Sequence, residues 1–244
     1  PSNQDPAKHS WAILSLLVRR FREEWPEVRI IFRADSGFCR HRMLEWCNSH
    51  AVGFIVGIGR NSRLTDKSSQ IITEAEKLYN ENRQKVRLFT DINYAAATWK
   101  EQQRVIVKAE HNSMGANTRF VVTNLSGVAR ELYDNIYCAR GDMENRIKEQ
   151  QLHLFADRTS CSEWWANQFR LLLSSFAYVL FDTVRRTALA GTKLAKATCK
   201  TIRLKLLKIG AVVTRNTRTV RVMLSYSSPF QNLFRLVAHR LASE

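Results

Sequence analysis

Four side chains in the stretch "IYCARGDMENRIKEQQ" recur every three or four residues: Tyr137, Arg140, Glu144 and Lys148. In a helix of 3.6 residues per turn this spacing stacks a phenol, a guanidinium, a carboxylate and an ammonium along one face. Such a row is either a solvated face laced with i,i+4 ion pairs or part of a site. A second candidate is Asp35, where the β-branched run "VRIIFRAD" meets the turn "SGF". In open parallel sheets, ligands and catalytic groups gather at the carboxyl ends of strands. An Asp in that position also serves turns and caps helices, and the residues alone leave both roles open.

Other chemistry-bearing residues are weaker candidates. "CRHRMLEWCNSH" offers Cys39, His41, Cys47 and His50. As a helix, however, it sets Cys39 and Cys47 about 12 Å apart along the axis, too far for zinc ligands that must converge on one ion. Gly57 and Gly59 in "GIGRN" make half of a dinucleotide fingerprint and read more simply as a strand end. Adjacent Trp164 and Trp165 cannot share one side of a helix; one is expected in the core, the other partly exposed as packing or as a stacking platform for a base. Lys193, Lys196, Lys200 and Arg203 form one basic helical stripe, a solvated face or a set of phosphate contacts.

The elements that must position these residues follow from hydrophobic periodicity. "SWAILSLLVRRFREEW" has helical spacing of apolar residues, with Ser10 as N-cap and Pro26 ending it. "VRIIFRAD" and "AVGFIVGIG" read as buried strands flanking the helix "CRHRMLEWCNSH", which points to a parallel α/β arrangement. A polar segment follows, then three strand candidates, "KVRLFTDINY", "QRVIVKAEH" and "TRFVVTNLS", without long helices between them, as in an antiparallel insert. Helical regions are expected from about residue 131 to 156 and from 161 to 189, the latter including "LLLSSFAYVLF" as a core helix. "TKLAKATCKTIRLKLLK" reads as a helix, "TRTVRVMLSYS" as a strand and "PFQNLFRLVAHRL" as a closing helix with Pro229 in its first turn.

Composition bounds the partners. The 244 residues carry a formal charge of +16 and are 45% hydrophobic, enough for a buried core and suited to a polyanionic partner. The charge is lopsided: from Thr183 to Glu244 there are 13 Lys and Arg against one acidic residue, while the first 182 residues are nearly balanced. Five scattered cysteines without a C-x-x-C pair suit a reduced, cytosolic protein, and no apolar run is long enough to span a membrane. The chain opens at Pro1 inside the polar stretch "PSNQDPAKHS", as expected for a piece of a longer protein.

Taken together, "RADSGF", "YCARGDMENRIKE" and "ANQFRLLLSSFAYVLFDTVRR" resemble the DDE transposases of bacterial insertion sequences, the group known as transposase DDE domain, group 1. The resemblance covers nearly the whole chain. It implies an α/β fold: a partial RNase H-like core with its first strands missing, an antiparallel β insert between the second Asp and the Glu helix, and a basic helical C-terminal region. The corresponding segments are 1–59 and 128–190 for the core, 60–127 for the insert and 191–244 for the basic region. The resemblance makes Asp35 and Glu144 catalytic carboxylates and metal ligands, with Tyr137 and Arg140 on the phosphates of the transposon end. Lys148 is the nearest cation to the family lysine, whose position holds Gln151. Lys193, Lys196, Lys200 and Arg203 join the DNA contacts. It also implies two Mg2+ ions, double-stranded DNA (terminal inverted repeats and target) as partner, and a homo-oligomer on DNA. The reaction would be cut-and-paste transposition; the alternatives are an inactive DNA-binding remnant or a nuclease of the same fold. The family's first catalytic Asp lies on an upstream strand. Asp5 does not match it, so the chain is expected to be an N-terminally incomplete copy, inactive alone.

Overall fold

The computed structural model describes residues 5 and 7–242; residues 1–4 and 6 of the expected opening loop, and 243–244, lie outside the described residues. The chain divides into two compact units, Pro1–Gly141 and Asp142–Glu244.

The first unit is built on a mixed sheet. Its strands are β1 (Ile31–Ala34), β2 (Gly53–Ile58), β3 (Val86–Tyr94), β4 (Gln103–Asn112), β5 (Gly115–Ala116) and β6 (Arg119–Thr123). They run in the order β1-β2-β6-β4-β3, with the short β5 pairing β4. The β1–β2 pair is parallel, as the apolar runs around a helix predict, and the remaining pairs are antiparallel. The three later strands thus join the same sheet as the parallel pair, through β6 against β2.

Period-two alternation divides the strand residues between two cores. Phe54, Val56, Val105, Val107, Phe120 and Val122 face one layer, with Val18 of α1 (Ser10–Glu24), Met43, Leu44 and Cys47 of α2 (His41–Ser49) and Leu64 of α3 (Ser62–Lys67). Ile55, Ile106 and Val121 face the other, under Ala129, Leu132 and Tyr133. Both faces of the central strands are covered, which is why they read as unbroken apolar runs.

Three expectations are corrected here. Ser10 is the first residue of α1 rather than its N-cap; His9 holds that position, and the Ser10 hydroxyl donates to the Ala7 carbonyl at 2.8 Å. The polar segment after Arg60 is two helices, α3 and α4 (Ser69–Asn82), started by Asn61, whose side chain accepts the Leu64 N–H at 3.0 Å. The helical region from 131 to 156 is interrupted. It consists of α5 (Ala129–Glu131), a π-helical stretch over Leu132–Tyr137, α6 (Arg140–Lys148) and a second π-helical stretch over Glu149–His153.

The second unit holds α7 (Trp164–Arg186), α8 (Cys199–Ile202, continued as a π-helical stretch over Arg203–Leu207), the hairpin β7 (Ala211–Arg215) and β8 (Val220–Leu224), and α9 (Gln231–Ala242). Pro229 lies in the turn before α9, not within it. Its core gathers Ala188, Leu189, Leu194, Ile202, Leu206 and Val237. "LLLSSFAYVLF" is helical but not a core helix: Leu172, Phe176, Val179 and Leu180 are more than half exposed.

A buried charge ties this unit together. The Glu149 carboxylate accepts from Arg185 Nη1 at 3.1 Å and from the Cys199 N–H at 2.9 Å, and Arg146 pairs with it at 3.0 Å. Burial alone raises the pKa of a carboxyl group. Here the Cys199 thiol and N–H and the Arg185 charge outweigh burial and hold Glu149 below its ordinary value. The sign follows. A depressed carboxylate contributes stability above the unfolded pKa, near 4.5, and loses it as pH falls through the lower folded value. Removing the carboxylate strands Arg185 in the interior, so Glu149→Ala should cost about 3–5 kcal/mol at pH 7. Urea unfolding of the variant should also flatten the acid-side slope of stability; a wild-type slope retained in the variant would contradict the assignment.

Candidate active site

The end of β1 makes the first wall of the site. Asp35 follows Ala34 in extended conformation and caps the short 3-10 turn Ser36–Phe38, its Oδ1 accepting the Gly37 N–H at 2.9 Å. The turn role open in the sequence is therefore real. It uses one carboxylate oxygen. The other, Oδ2, stands 3.6 Å from Arg140 Nη1, an ion-pair distance too long for a hydrogen bond. Half of the Asp35 side chain remains exposed.

Tyr137 arrives from the opposite direction. The preceding stretch packs on the sheet through Leu132 and Tyr133, and Arg33 of β1 donates to the Ile136 carbonyl at 2.9 Å. The chain is wound one residue wider there, with the Cys138 N–H bonded to the Tyr133 carbonyl at 2.9 Å. Such π-helical turns recur at functional sites because they re-aim a side chain. The Tyr137 ring leads to β2. A Cβ placed on Gly57 would stand 2.7 Å from the Tyr137 hydroxyl and 3.1 Å from the Ser36 nitrogen, so this approach exists only because residue 57 has no side chain. Burial raises the Tyr137 phenol, opposed by Arg140 and Arg119 and reinforced by Asp35. It therefore stays protonated at neutral pH, able to donate. The Arg140 guanidinium lies 5.9 Å from the Tyr137 ring centre.

The structure thus brings Asp35, Tyr137 and Arg140 together where the parallel strands β1 and β2 end. It corrects the means, since Tyr137 does not share an uninterrupted helix with the others. The Gly141 N–H turns back to the Cys138 carbonyl, and α6 starts afresh at Arg140. Glu144 and Lys148 belong to the second unit, exposed on α6, and Gln151 is exposed in the π-helical stretch that follows.

The basic stripe is also corrected. Thr198 caps α8 by accepting the Thr201 N–H, so Lys193 and Lys196 lie in turns before the helix, Lys200 lies in it and Arg203 opens its π-helical continuation. The three lysines are exposed, and Arg203 donates to the His153 carbonyl at 3.0 Å. Trp164 and Trp165 are both exposed, packed edge-to-face at 4.6 Å in the first turn of α7, where neither reaches the core.

Asp35 supplies the hard, solvent-accessible oxygen that a divalent cation such as Mg2+ prefers, and Glu144 is an exposed carboxylate. The donor chemistry fits. Among the described residues, no group of three or more His, Cys, Asp or Glu side chains is assembled to hold a metal ion.

A carboxylate at a strand end beside a guanidinium and a phenol is an arrangement suited to phosphoryl transfer. The chain is a member of a class of DNA phosphoryl-transfer enzymes that use divalent metal. It belongs to the family described as Transposase DDE domain group 1, whose profile matches residues 1–244. No match is found among curated proteins.

Two positioning residues were missed in the sequence, Gly57 and Arg33. Their signals were a glycine inside an apolar strand and an arginine inside another, each a place where chain or carbonyl comes close. Gly57→Ala should destabilise the first unit by about 1–3 kcal/mol, the usual cost of an overpacked site. In a Tyr137→Phe background the same change should cost at least about 0.5 kcal/mol less, because the colliding oxygen is gone. Thermal unfolding of the four proteins checks this, and equal costs in both backgrounds would contradict it.

Proposed function

We propose that this transposase acts by cut-and-paste transposition at the terminal inverted repeats of a bacterial insertion sequence. In this reading the parallel β1–β2 pair is part of an RNase H-like sheet extended by a β-rich insertion over 60–127. The single observation that carries the reading is the convergence of Asp35, Tyr137 and Arg140 at the carboxyl ends of β1 and β2.

Each side chain then has a task. Asp35 and Glu144 hold divalent metal, Mg2+ in the cell, through carboxylate oxygens. When bound, a metal pair activates the attacking water and stabilises the leaving oxygen of an in-line displacement. Arg140 grips the phosphate of the transposon end, where a planar fork of donors matches two phosphate oxygens. Tyr137, protonated and fixed against Gly57, donates to the same phosphate. Lys148, Lys193, Lys196, Lys200 and Arg203 follow the DNA backbone, and a homo-oligomer brings the two ends together. Two carboxylates hold metal loosely, so the 244-residue chain alone is a DNA binder that cuts poorly.

The test uses the purified chain and duplex DNA. Binding should weaken steeply as salt rises, because each phosphate contact releases counterions. Cutting with Mg2+ should be feeble. Arg140→Lys keeps the charge and loses the fork, and should weaken binding about 10-fold, equivalent to about 1.4 kcal/mol. Robust Mg2+-dependent cutting by the chain would refute the two-carboxylate argument, and unchanged binding by Arg140→Lys would remove the phosphate role.

A further inference from the structure

The hairpin β7–β8 is a two-stranded sheet of its own, and every residue from Ala211 to Leu224 is exposed. Isolated two-stranded ribbons are marginal in water, so a ribbon with uncovered apolar side chains on both faces implies a surface that receives it. The register fixes those faces. Val213–Val222 and Arg215–Val220 point to one side, Val212–Met223 and Thr214–Arg221 to the other. Arg215 and Arg221 therefore project from opposite faces of the ribbon, and Arg218 stands at its tip.

The tip is preorganised. Asn216 Oδ1 accepts from the Arg218 N–H at 3.0 Å, the Thr219 N–H at 2.7 Å and the Thr219 hydroxyl at 2.9 Å. At the base, the Ser225 N–H closes on the Gly210 carbonyl at 2.8 Å. Among the described residues, none of the three guanidiniums makes an ion pair or a side-chain hydrogen bond. From Thr183 to Ser243 the sequence has no acidic residue that could neutralise them.

We propose that β7–β8 is a DNA-binding ribbon that enters the major groove of a duplex. The proposal rests on the reading that this chain binds DNA, and it adds a site outside the residues assigned above. The major groove is about 12 Å wide and admits a two-stranded β-ribbon. A ribbon with arginines on both faces meets the phosphates of both groove walls. The face turned to the groove floor sets its own apolar pair, either Val213 and Val222 or Val212 and Met223, against base edges, where thymine methyl groups are apolar. Charge selects DNA over a second copy of this chain, because two ribbons paired edge to edge would set like charges beside one another.

The experiment measures duplex DNA binding by the full 244-residue chain across a salt series. The triple variant Arg215→Gln, Arg218→Gln, Arg221→Gln changes only exposed side chains, and circular dichroism checks that it folds. A control triple, Arg63→Gln, Lys67→Gln, Lys77→Gln, removes the same charge from exposed positions on α3 and α4. Losing three phosphate contacts should lower the slope of log K against log salt by about 2–3, with the control moving it by less than about 1. Wild type should also protect guanine N7, a major-groove atom, from methylation, and the hairpin variant should not. An unchanged slope, the same change in both triples, or absent N7 protection overturns the ribbon while leaving DNA binding intact. Loss of self-association with DNA binding retained assigns the hairpin to a second copy and also overturns it. No binding by wild type at all would sink the DNA reading itself.

Discussion

Tyr137 reaches the Asp35 turn only because position 57 of β2 carries no side chain, and much of the first unit is arranged around that approach. For the hydroxyl to arrive, the chain before it must lie flat on the sheet, which Leu132 and Tyr133 secure by burial against Ile55, Ile106 and Val121. It must also be rotated, which the extra residue in the π-helical turn achieves. The parallel pairing of β1 and β2 places Asp35 and Gly57 side by side at the same end of the sheet. Arg33 pins the Ile136 carbonyl from below. None of these contacts is strong alone. They share one geometric target, so a misplacement in any of them moves the phenol away from the carboxylate.

The site residues were more legible than the path that joins them. Asp35 stood out because a strand of β-branched residues ended on it, and Arg140 because of its spacing to its neighbours. The break between Tyr137 and Arg140 was invisible, since a one-residue widening of a helix leaves no mark on hydrophobic periodicity. The central strands β2, β4 and β6 were legible because burial on both faces makes them apolar runs, whereas β7, exposed throughout, was not read as a strand. Helix α4 was not. It buries little beyond Ala75 and Ile71, so its sequence reads as polar even though it packs against β3 and β4. The basic stripe failed for a different reason. Lysine spacing alone carries no information about where a helix begins, and the Thr198 cap starts α8 after Lys193 and Lys196.

The two units use charge in contrasting ways. In the first, acidic groups offset the basic ones locally: Glu110 is buried among Lys85, Arg87, Lys108 and Asn117, and Asp134 pairs with Arg87. In the second, no acidic residue stands among the 13 Lys and Arg from Thr183 to Ser243, and that stretch is left positive. A surface with that imbalance is repelled by itself and drawn to polyanions. The family of DNA-transposing enzymes to which the chain belongs gives that attraction its substrate.

The role proposed for Asp35 is to hold divalent metal beside Arg140 and Tyr137 at the ends of β1 and β2. The most direct measurement replaces Mg2+ with Fe2+ and generates hydroxyl radicals at the bound ion with ascorbate and peroxide. The radicals cut the polypeptide within a few ångströms of the metal, and the fragments are identified by mass spectrometry. The account predicts scission near Asp35, lost in Asp35→Asn. No scission near Asp35, or a cut there that persists undiminished in Asp35→Asn, would contradict it.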